Sequence, residues 1–363
     1  MQEIKSVKDA DVAGKRIVVR VDFNVPLDMH SGHAEVLADF RIRAAIPTLE
    51  LLHSKGASSI VILTHVGRPE GKVVDGLRVA PIEAKLHQLT TVPFEMRENL
   101  RFDAREEAND PEFAKELAAL GDVYVNEAFP VSHRADASIV GVPKLLPSYA
   151  GLQFMQEYER ISTALIPPEG SIAIVGGAKF ETKQPLISKL LTTYSEVLLG
   201  GALGNDVIKA RGWPVGGSLV STPVPVDIAS NERLFVANDA VLKNVDAGAE
   251  RTALVVDTQD HESIVDIGPS TTLLWADKVE HAPFVLWNGP LGIYEQGFTL
   301  GTDGVAQAIV QGGTTALIGG GDTAAAIEKF NFDPKKVFVS TAGGAMLEFL
   351  INGTLPGIDA LKN

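Results

Sequence analysis

The stretch RIVVRVDFNVP, from Arg16 to Pro26, constrains the fold most, because one of its faces is apolar throughout. That face consists of Ile17, Val19, Val21, Phe23 and Val25, at the period of two that is typical of a β-strand. The other face begins apolar at Val18 and then carries Arg20, Asp22 and Asn24. A strand covered on both faces should remain apolar. The polar end therefore indicates that this strand leaves the core and meets something else.

Composition narrows the class of protein. The 363 residues include no cysteine, which excludes disulfides, thiolate metal ligands and cysteine nucleophiles and fits a reducing cytoplasm. The charges, 32 basic against 46 acidic, leave a net charge of −14, which disfavours nucleic-acid binding. The first residues are charged throughout and no apolar run is long enough to cross a bilayer. We expect a cytoplasmic, globular protein without a nucleic-acid or membrane partner.

Strand-like and helix-like segments alternate along the chain, which predicts parallel sheets covered by helices. In the first half, a strand near Arg16–Val21 precedes a helix that begins after Asp39 and ends before Gly56. A strand over residues 58–65 and a helix capped by Asp110 follow.

A helix predicted over residues 148–165 lies between two pairs of prolines and is interpreted as an interdomain connector. The predicted domains are residues 1–150, together with a tail at 346–363, and residues 151–345.

The predicted strands of the second half end repeatedly in glycine. These ends are Gly176–Gly177, Gly200–Gly201, Gly289, Gly319–Gly321 and Gly343–Gly344. Ligands of parallel sheets bind at the carboxyl ends of strands, where glycine permits close approach and helix N-termini attract anions. Five such ends favour a nucleotide or another phosphate ligand. A dinucleotide oxidoreductase is a weaker hypothesis, because G-x-G-x-x-G is absent.

Two segments of the second half suit phosphate chemistry. Lys179 and Lys183 lie four residues apart after a strand, a spacing that puts both on one helix face and that either a polyphosphate or plain solvent exposure explains. Asp322 and Thr323 open a helix after three glycines, as capping residues or, for Asp322, as a Mg²⁺ ligand beside substrate phosphates.

Polar side chains of the first half also follow strand ends. They are Asp22, Asn24, His65, Arg68, Arg101 and Arg134. Arg41 stands near the start of a helix, where a cation is electrostatically misplaced. The sequence has no G-x-S-x-G or H-E-x-x-H motif. Phosphoryl transfer to a carboxylate needs no base, because the acceptor is already ionised and the reaction requires alignment and neutralisation of charge.

In order and over nearly the whole chain, the sequence resembles the phosphoglycerate kinase family at RVDFNVP, FRIRAAIPT, THVGRP, ENLRF, GDVYVNEAF, SHRADAS, GGAKFETK, VLWNGPLGIYE, IGGGDTAAAIEKF and STAGGAMLEFL. The resemblance implies an α/β fold of two doubly wound, Rossmann-like domains around a cleft, joined by a helix, with the C-terminal tail returning to the first domain. It implies ATP-dependent, reversible phosphorylation of the carboxylate of 3-phosphoglycerate in glycolysis, by in-line transfer on domain closure, in a cytoplasmic monomer.

The resemblance also implies roles for individual residues. Phosphoglycerate would be bound by Asp22, Asn24, Arg41, His65, Arg68, Arg101 and Arg134, with Arg41 nearest the reacting carboxylate and Arg20 in support. Lys179 and Lys183 would hold the phosphates of ATP or ADP and the transferring group, while Asp322 would contact Mg²⁺ and Thr323 a phosphate. The nucleotide would also contact Gly177, Ala178, Gly200, Gly201, Asn288, Pro290, Glu295, Gly320 and Gly321, and Gly343 and Gly344 would form a last phosphate turn.

Some positions depart from the family pattern. Pro130 and Val131 replace a glycine and a hydroxyl residue, Asp136 stands where His is frequent, and Ala202 and Ala342 replace glycines. Because no charged catalytic position is lost, we expect effects on rate, affinity and closure rather than on reaction type. Two alternatives stay open: a kinase for another small carboxylic acid, and a nucleotide-binding homologue with weakened catalysis.

Overall fold

The chain forms two compact units in a computed structural model that describes residues 4–28 and 35–362. Residues 1–159 and 352–363 form the first unit, and residues 160–351 form the second. The divisions fall at 159/160 and 351/352, where the sequence predicted 150/151 and 345/346. The C-terminal tail therefore belongs to the first unit, as the resemblance implies.

A five-stranded parallel sheet organises the first unit. Its strands and the small antiparallel pair β2 and β3 are β1 (Arg16–Arg20), β2 (Leu27–Asp28), β3 (Glu35–Val36), β4 (Ser59–Leu63), β5 (Glu95–Met96), β6 (Val123–Asn126) and β7 (Ser148–Ala150). The helices are α1 (Phe40–Ser54), α2 (Ala80–Leu89), α3 (Ala104–Glu107), α4 (Pro111–Ala118) and α5 (Leu152–Ser162). The strand order is β5-β4-β1-β6-β7. The winding reverses beside β1, and ligands of such sheets bind at that reversal.

Strand β1 is the central strand, and both of its faces are buried, as the alternation predicts up to the polar end. Ile17, Val18 and Val19 are each 0% exposed. Val19 belongs to a core cluster that also contains Leu49 of α1 and Ile62 of β4. This packing fixes the direction in which the chain leaves the sheet after residue 20.

The prediction of one helix over residues 148–165 is wrong at both ends. Residues 148–150 form β7, which pairs in parallel with β6, and α5 covers only Leu152–Ser162 before a short 3-10 turn, Thr163–Leu165. The reason lies in a long-range contact that helical periodicity does not report. The amide of Ala150 donates a hydrogen bond to the carbonyl of Lys5. This bond and the pairing with β6 hold residues 148–150 at the edge of the sheet rather than in a helix.

A six-stranded parallel sheet organises the second unit. Its elements and those of a three-stranded antiparallel sheet are β8 (Ile172–Val175), β9 (Glu196–Leu199), β10 (Leu234–Phe235), β11 (Asp239–Asn244), β12 (Glu250–Leu254), β13 (Glu262–Ile267), β14 (Phe284–Asn288), β15 (Thr315–Gly319) and β16 (Val337–Ser340). The helices are α6 (Phe180–Thr193), α7 (Gly201–Ala210), α8 (Val226–Ala229), α9 (Pro269–His281), α10 (Leu300–Gly312), α11 (Gly321–Ile327) and α12 (Gly344–Asn352), and α13 (Pro356–Ala360) lies in the tail. The main sheet has the order β10-β9-β8-β14-β15-β16.

The glycine pattern locates one edge of this sheet. The five glycine-ended segments follow β8, β9, β14, β15 and β16, which pair in parallel, so their glycines share the carboxyl edge. Strand β13 also ends before a glycine, Gly268, but it belongs to the antiparallel sheet β12-β11-β13. Strand alternation cannot distinguish the two kinds of sheet, because partner choice depends on distant residues.

A search for membrane-crossing helices gives a negative result over residues 4–28 and 35–362: the helices there are too short or too polar to span a bilayer.

Glu127 ties the start of α5 to the first sheet. Its carboxylate accepts hydrogen bonds from the Thr48 hydroxyl and from the amides of Gln153 and Phe154, both at 3.1 Å. Complete burial raises the pKa of this carboxyl to about 7. The hydrogen bonds that join α5 to the first sheet are therefore buried, and water cannot replace Glu127 as their acceptor.

Replacing Glu127 by Ala should lower the free energy of unfolding by roughly 2–4 kcal/mol, because it leaves one hydroxyl and two amides without their acceptor. Urea unfolding followed by circular dichroism measures this. Glu159→Ala, at an exposed position of α5, is the matched control and should stay within about 0.5 kcal/mol of the parent. Equal effects of the two changes would contradict the role of Glu127.

Candidate active site

Two residues that follow β1 are tied to Arg41, Asp22 through its side chain and Asn24 through its main chain. The guanidinium of Arg41 donates to Asp22 Oδ2 at 2.5 Å and to the carbonyl of Asn24 at 3.3 Å. Asn24 Oδ1 accepts from the amide of Gly67 at 2.9 Å. A cation beside a helix N-terminus is unfavourable, and the carboxylate of Asp22 compensates for it here. The first turn of α1 thus holds a guanidinium, 25% exposed, at the carboxyl end of the sheet.

Asp39 directly precedes α1, but its side chain does not cap the helix. It occupies the N-cap position of α1 without a side-chain capping hydrogen bond. Its carboxylate instead pairs with Arg43 at 2.9 Å and with Lys85 at 3.3 Å.

Arg20 is buried completely inside the first unit. Its Nε donates to Ser138 Oγ at 2.8 Å, another guanidinium nitrogen donates to the carbonyl of Val21, and Nη2 lies 3.2 Å from Nδ1 of His65. Ser138 in turn donates to the buried carboxylate of Glu106. Arg20 therefore positions its neighbours from within the core.

His65 is held in its neutral form. Burial lowers its pKa well below 6.5, and the positive charges of Arg20, Arg101, Arg134 and Arg41 lower it further. Because a guanidinium can only donate, Nδ1 must accept from Arg20 and the ring proton resides on Nε2. His65 thus offers a neutral N–H donor among four cations.

Arg101 and Arg134 complete this cationic cluster. Arg101 is 3% exposed and donates to the carbonyl of Gly67 at 2.8 Å, while its Nε and Nη2 have no hydrogen-bond partner among the described residues. Glu107 Oε1 lies 3.3 Å from Arg101 Nε and 3.6 Å from Arg134 Nη1. Asp136 Oδ2 is 4.0 Å from Arg101 Nη2.

The remaining residues of the first half lie on nearby exposed chain or in the altered loop. Arg68 is exposed, three residues after His65. Pro130 lies in a 3-10 turn, Phe129–Val131, whose last residue is 7% exposed. Val131 is therefore a packing residue here, and the amide of Arg134 donates to its carbonyl at 3.0 Å.

In the second unit, Lys183 is linked to two strand ends. Its ammonium donates to Asn288 Oδ1 at 2.5 Å, and the Asn288 amide donates to the carbonyl of Gly319 at 2.7 Å. Thr323 Oγ1 accepts from the amide of Gly289 at 2.7 Å and donates to Gly319 at 3.0 Å. These bonds hold the ends of β14 and β15 together beneath the side chain of Lys183, whose pKa is lowered by burial.

Lys179 and Lys183 do not share a helix face, contrary to the spacing argument. Lys179 lies outside the helix as the N-cap of α6, with a left-handed backbone at φ 64°, and is exposed. The amide of Phe180 donates to Ser221 Oγ at 3.0 Å, and Ser221 donates to Asp206 through its amide and its hydroxyl. Sequence reasoning missed Ser221 and Asp206, because no local motif marks them.

A cavity of about 440 Å³ opens at the glycine-rich edge. From the predicted nucleotide residues its lining includes Gly177, Ala178, Gly200, Gly201, Pro290, Glu295 and Asp322. Asn288 lies outside this lining and makes the Lys183 network instead. The edge is tight: Gly289 has φ 98°, and a Cβ there would lie 2.3 Å from the carbonyl oxygen of Gly176. A residue with a Cβ at position 289 would therefore clash with the backbone of Gly176.

The donor set near the cavity suits a cation that arrives with phosphates. Among the described residues, no three carboxylate, histidine or cysteine side chains converge on one metal position. Asp322 is an exposed carboxylate that lines the cavity and lies close enough to Lys183 to act on its pKa. Mg²⁺ is commonly held by one or two carboxylates plus substrate phosphates, so Asp322 fits this kind of site.

The turn at Gly343 and Gly344, which the resemblance predicts to bind phosphate, is partly engaged in hydrogen bonds within the protein. The amide of Ala342 donates to Ser340 Oγ and that of Ala345 donates to the carbonyl of Ala342, at 3.1 and 3.0 Å. Gly343 and Gly344 lie between them at the start of α12, and Gly343 is left-handed at φ 49°.

Cationic side chains lie at the end of one sheet and a glycine-lined cavity at the end of the other, a combination typical of an enzyme that transfers phosphoryl groups. Sequence comparison leads to the same class of enzyme. A profile of the phosphoglycerate kinase family matches residues 7–353. Phosphoglycerate kinases of Solibacter usitatus and Moorella thermoacetica are 40% and 39% identical to the chain, each with 98% of both chains covered. The chain belongs to the phosphoglycerate kinase family, which makes it a kinase with a carboxyl group as acceptor.

Solved structures give the same result for the fold. The phosphoglycerate kinase of Coxiella burnetii superposes with a TM-score of 0.89 at 32% identity, covering 99% of each chain. That of Pyrococcus horikoshii gives 0.78 at 26% identity, covering 99% of this chain and 98% of the other. The predicted α/β fold of two Rossmann-like domains is confirmed.

His65 should stay neutral where an ordinary histidine becomes charged. Nuclear magnetic resonance of the ring from pH 8 to pH 5.5 should show no titration of His65, whereas the exposed His281, whose pKa is raised by Asp277, should titrate above 6.5. Since only the unfolded state gains this proton, the contribution of His65 to stability is present above pH 6.5 and is lost as the pH falls. Titration of His65 near pH 6.5 would contradict the electrostatic account.

Proposed function

We propose that this chain catalyses reversible phosphoryl transfer from ATP to the carboxylate of 3-phosphoglycerate, with Mg²⁺ bound beside the nucleotide phosphates. The observation that carries the proposal is the presence of two sites with different chemistry, one cationic and one lined by glycine. One collects Arg41, Arg101, Arg134 and neutral His65 at the end of β1. The other combines the cavity of about 440 Å³ with Lys183 and Asp322. Phosphoglycerate carries two anionic groups, which explains why the first site needs several cations.

The roles follow from burial and reach. Arg101 and Arg134 bind the phosphate of phosphoglycerate, since Arg101 has buried donors without partners. Asp22 and Asn24 accept from the substrate hydroxyl or fix its surroundings, and Arg68 and the Nε2 proton of His65 add donors. Arg41, which is held by its ion pair with Asp22, faces the reacting carboxylate. It stabilises the charge that spreads over the transferring phosphoryl group.

The nucleotide is placed with its base and ribose in the glycine-lined cavity. Gly177, Ala178, Gly200, Gly201 and Pro290 form its walls, and Glu295 is the group for the ribose hydroxyls. Lys179 and Lys183 take the phosphates, together with the amides of Gly320, Gly321, Gly343 and Gly344. The hydroxyl of Thr323 is hydrogen-bonded to Gly289 and Gly319, so Thr323 supports the turn at residues 319–321. Asn288 acts by holding Lys183 rather than by touching the base.

Mg²⁺, when bound by Asp322 and the nucleotide, supplies charge that lets the phosphate oxygens approach an anionic acceptor. The protein's own part is alignment, because no side chain has to remove a proton from an ionised carboxylate. We further propose that the enzyme is a cytoplasmic monomer. The cysteine-free composition and the family resemblance support this.

Steady-state turnover with Mg·ATP and 3-phosphoglycerate, with the product drawn off by a coupled dehydrogenase, tests the proposal. Robust turnover is expected. Turnover that appears only with another small acid, or binding of both ligands without turnover, would refute it.

Arg41→Ala should lower kcat by roughly 10²- to 10³-fold, the effect of removing one donor to transition-state charge, while KM for phosphoglycerate changes much less. Arg43→Ala is the control, since Arg43 lies on the same helix and pairs with Asp39. Steady-state kinetics of both variants measure the difference. Lost phosphoglycerate binding with full turnover at saturation would contradict the assigned role.

Lys183→Ala should raise KM for Mg·ATP and lower kcat by at least about tenfold, because a largely buried ammonium opposite the nucleotide phosphates is lost. Lys189→Ala, at an exposed position of α6, should leave both parameters near those of the parent. The role would be contradicted if the two variants behaved alike in the coupled assay.

A further inference from the structure

Glu107 occupies a position between the two arginines of the proposed phosphate subsite. A single oxygen, Oε1, lies 3.3 Å from Arg101 Nε and 3.6 Å from Arg134 Nη1. The contacts of Arg101 with Glu107 and with Asp136 are not hydrogen bonds, since Nε and Nη2 of Arg101 have no hydrogen-bond partner among the described residues. The carboxylate is thus attracted by charge but does not fill the donors that surround it.

The two arginines repel each other at a largely buried position. Burial and the neighbouring charge of Arg134 lower the pKa of Arg101, which means that its cationic form is strained by its surroundings. Asp136 lies beside it but is 6% exposed, and Oδ2 of Asp136 also has no hydrogen-bond partner among the described residues. This place in the fold is therefore suited to an anion with more oxygens and more charge than one carboxylate.

Glu107 is able to leave, and Asp136 is not. Glu107 ends the short helix α3 and its side chain is 42% exposed, so a rotation returns its carboxylate to water. Asp136 is buried and directly precedes the segment Ala137–Gly141, of which residues 137–140 are buried, so its carboxylate cannot rotate into water. A dianionic phosphate, with three oxygens, can reach donors of both arginines at once.

We propose that Glu107 is an internal counter-anion, which holds the phosphate subsite between Arg101 and Arg134 in the free enzyme and must be displaced by the phosphate group of the substrate. The inference rests on the proposed function, and it adds a residue that sets affinity without taking part in the chemistry. Displacement costs the two ion pairs of Glu107, and the ligand phosphate replaces them with closer contacts. Every ligand with a phosphate at this subsite loses affinity by the same factor.

The test is Glu107→Gln, which keeps the shape of the side chain and removes its charge. The dissociation constant for 3-phosphoglycerate, measured by calorimetry, should fall about two- to fivefold, the range expected for partly exposed ion pairs. Inorganic phosphate should gain as a competitor by a similar factor. KM for Mg·ATP should not change, because the nucleotide residues lie in the other unit.

Glu112→Gln is the matched control. Glu112 is 69% exposed on α4 and pairs with Lys115, so the variant makes the same change in net charge without touching the two arginines. Its affinity for 3-phosphoglycerate should equal that of the parent. An equal gain in both variants would show a general charge effect and overturn the proposal.

An unchanged affinity in Glu107→Gln would also overturn the proposal. A weaker affinity, with a melting temperature like that of the parent, would overturn it and show that Glu107 orients the arginines. Glu107→Ala repeats the comparison without a side-chain amide. Arg134→Ala separates the two levels of inference. Weakened phosphoglycerate binding in Arg134→Ala together with no gain in Glu107→Gln removes only the counter-anion, whereas unaffected binding in Arg134→Ala refutes the proposed substrate subsite itself.

Discussion

The cationic site of the first unit depends on the hydrogen bonds of the buried side chain of Arg20. A guanidinium that is 0% exposed at the end of a central strand requires acceptors on every side. It finds them in Ser138, the Val21 carbonyl and His65, and the Ser138 hydroxyl is itself bound to buried Glu106. The requirement fixes the histidine ring, its tautomer and the approach of the segment that carries Asp136. Arg20 thus positions His65 and the segment of Ser138 from inside the core.

Both units use the carboxyl ends of parallel strands, but they supply different chemistry there. The first places long cationic side chains, partly balanced by Asp22, Glu107 and Asp136. The second offers glycine backbone, helix N-termini and the lysine held by Asn288. In the proposed function, neither arrangement depends on a nucleophile or a base. This division suits a reaction between two anions, in which the enzyme must neutralise charge and align groups whose own ionisation is already correct.

Local sequence predicted what local physics controls. The alternation in RIVVRVDFNVP predicted the first strand, and the repeated glycines marked one edge of the second sheet. The predicted exit from the core is wrong at Arg20 and Asp22, which are both buried. Long-range pairing was not predictable in this way. The strand at 148–150, the antiparallel place of β13, the Ser221–Asp206 support and the position of Glu107 between two arginines all depend on residues distant in the chain. The separation of Lys179 from the helix face of Lys183 arises from one left-handed residue.

The central claim is that charge neutralisation and alignment suffice, without a titrating base. The direct test is kcat at saturating Mg·ATP and 3-phosphoglycerate between pH 6.5 and pH 8.5. The account predicts a nearly constant kcat, because the acceptor carboxylate is ionised throughout and His65 is neutral throughout. A tenfold rise per pH unit that disappears in a His65→Gln variant would identify His65 as a base and contradict it.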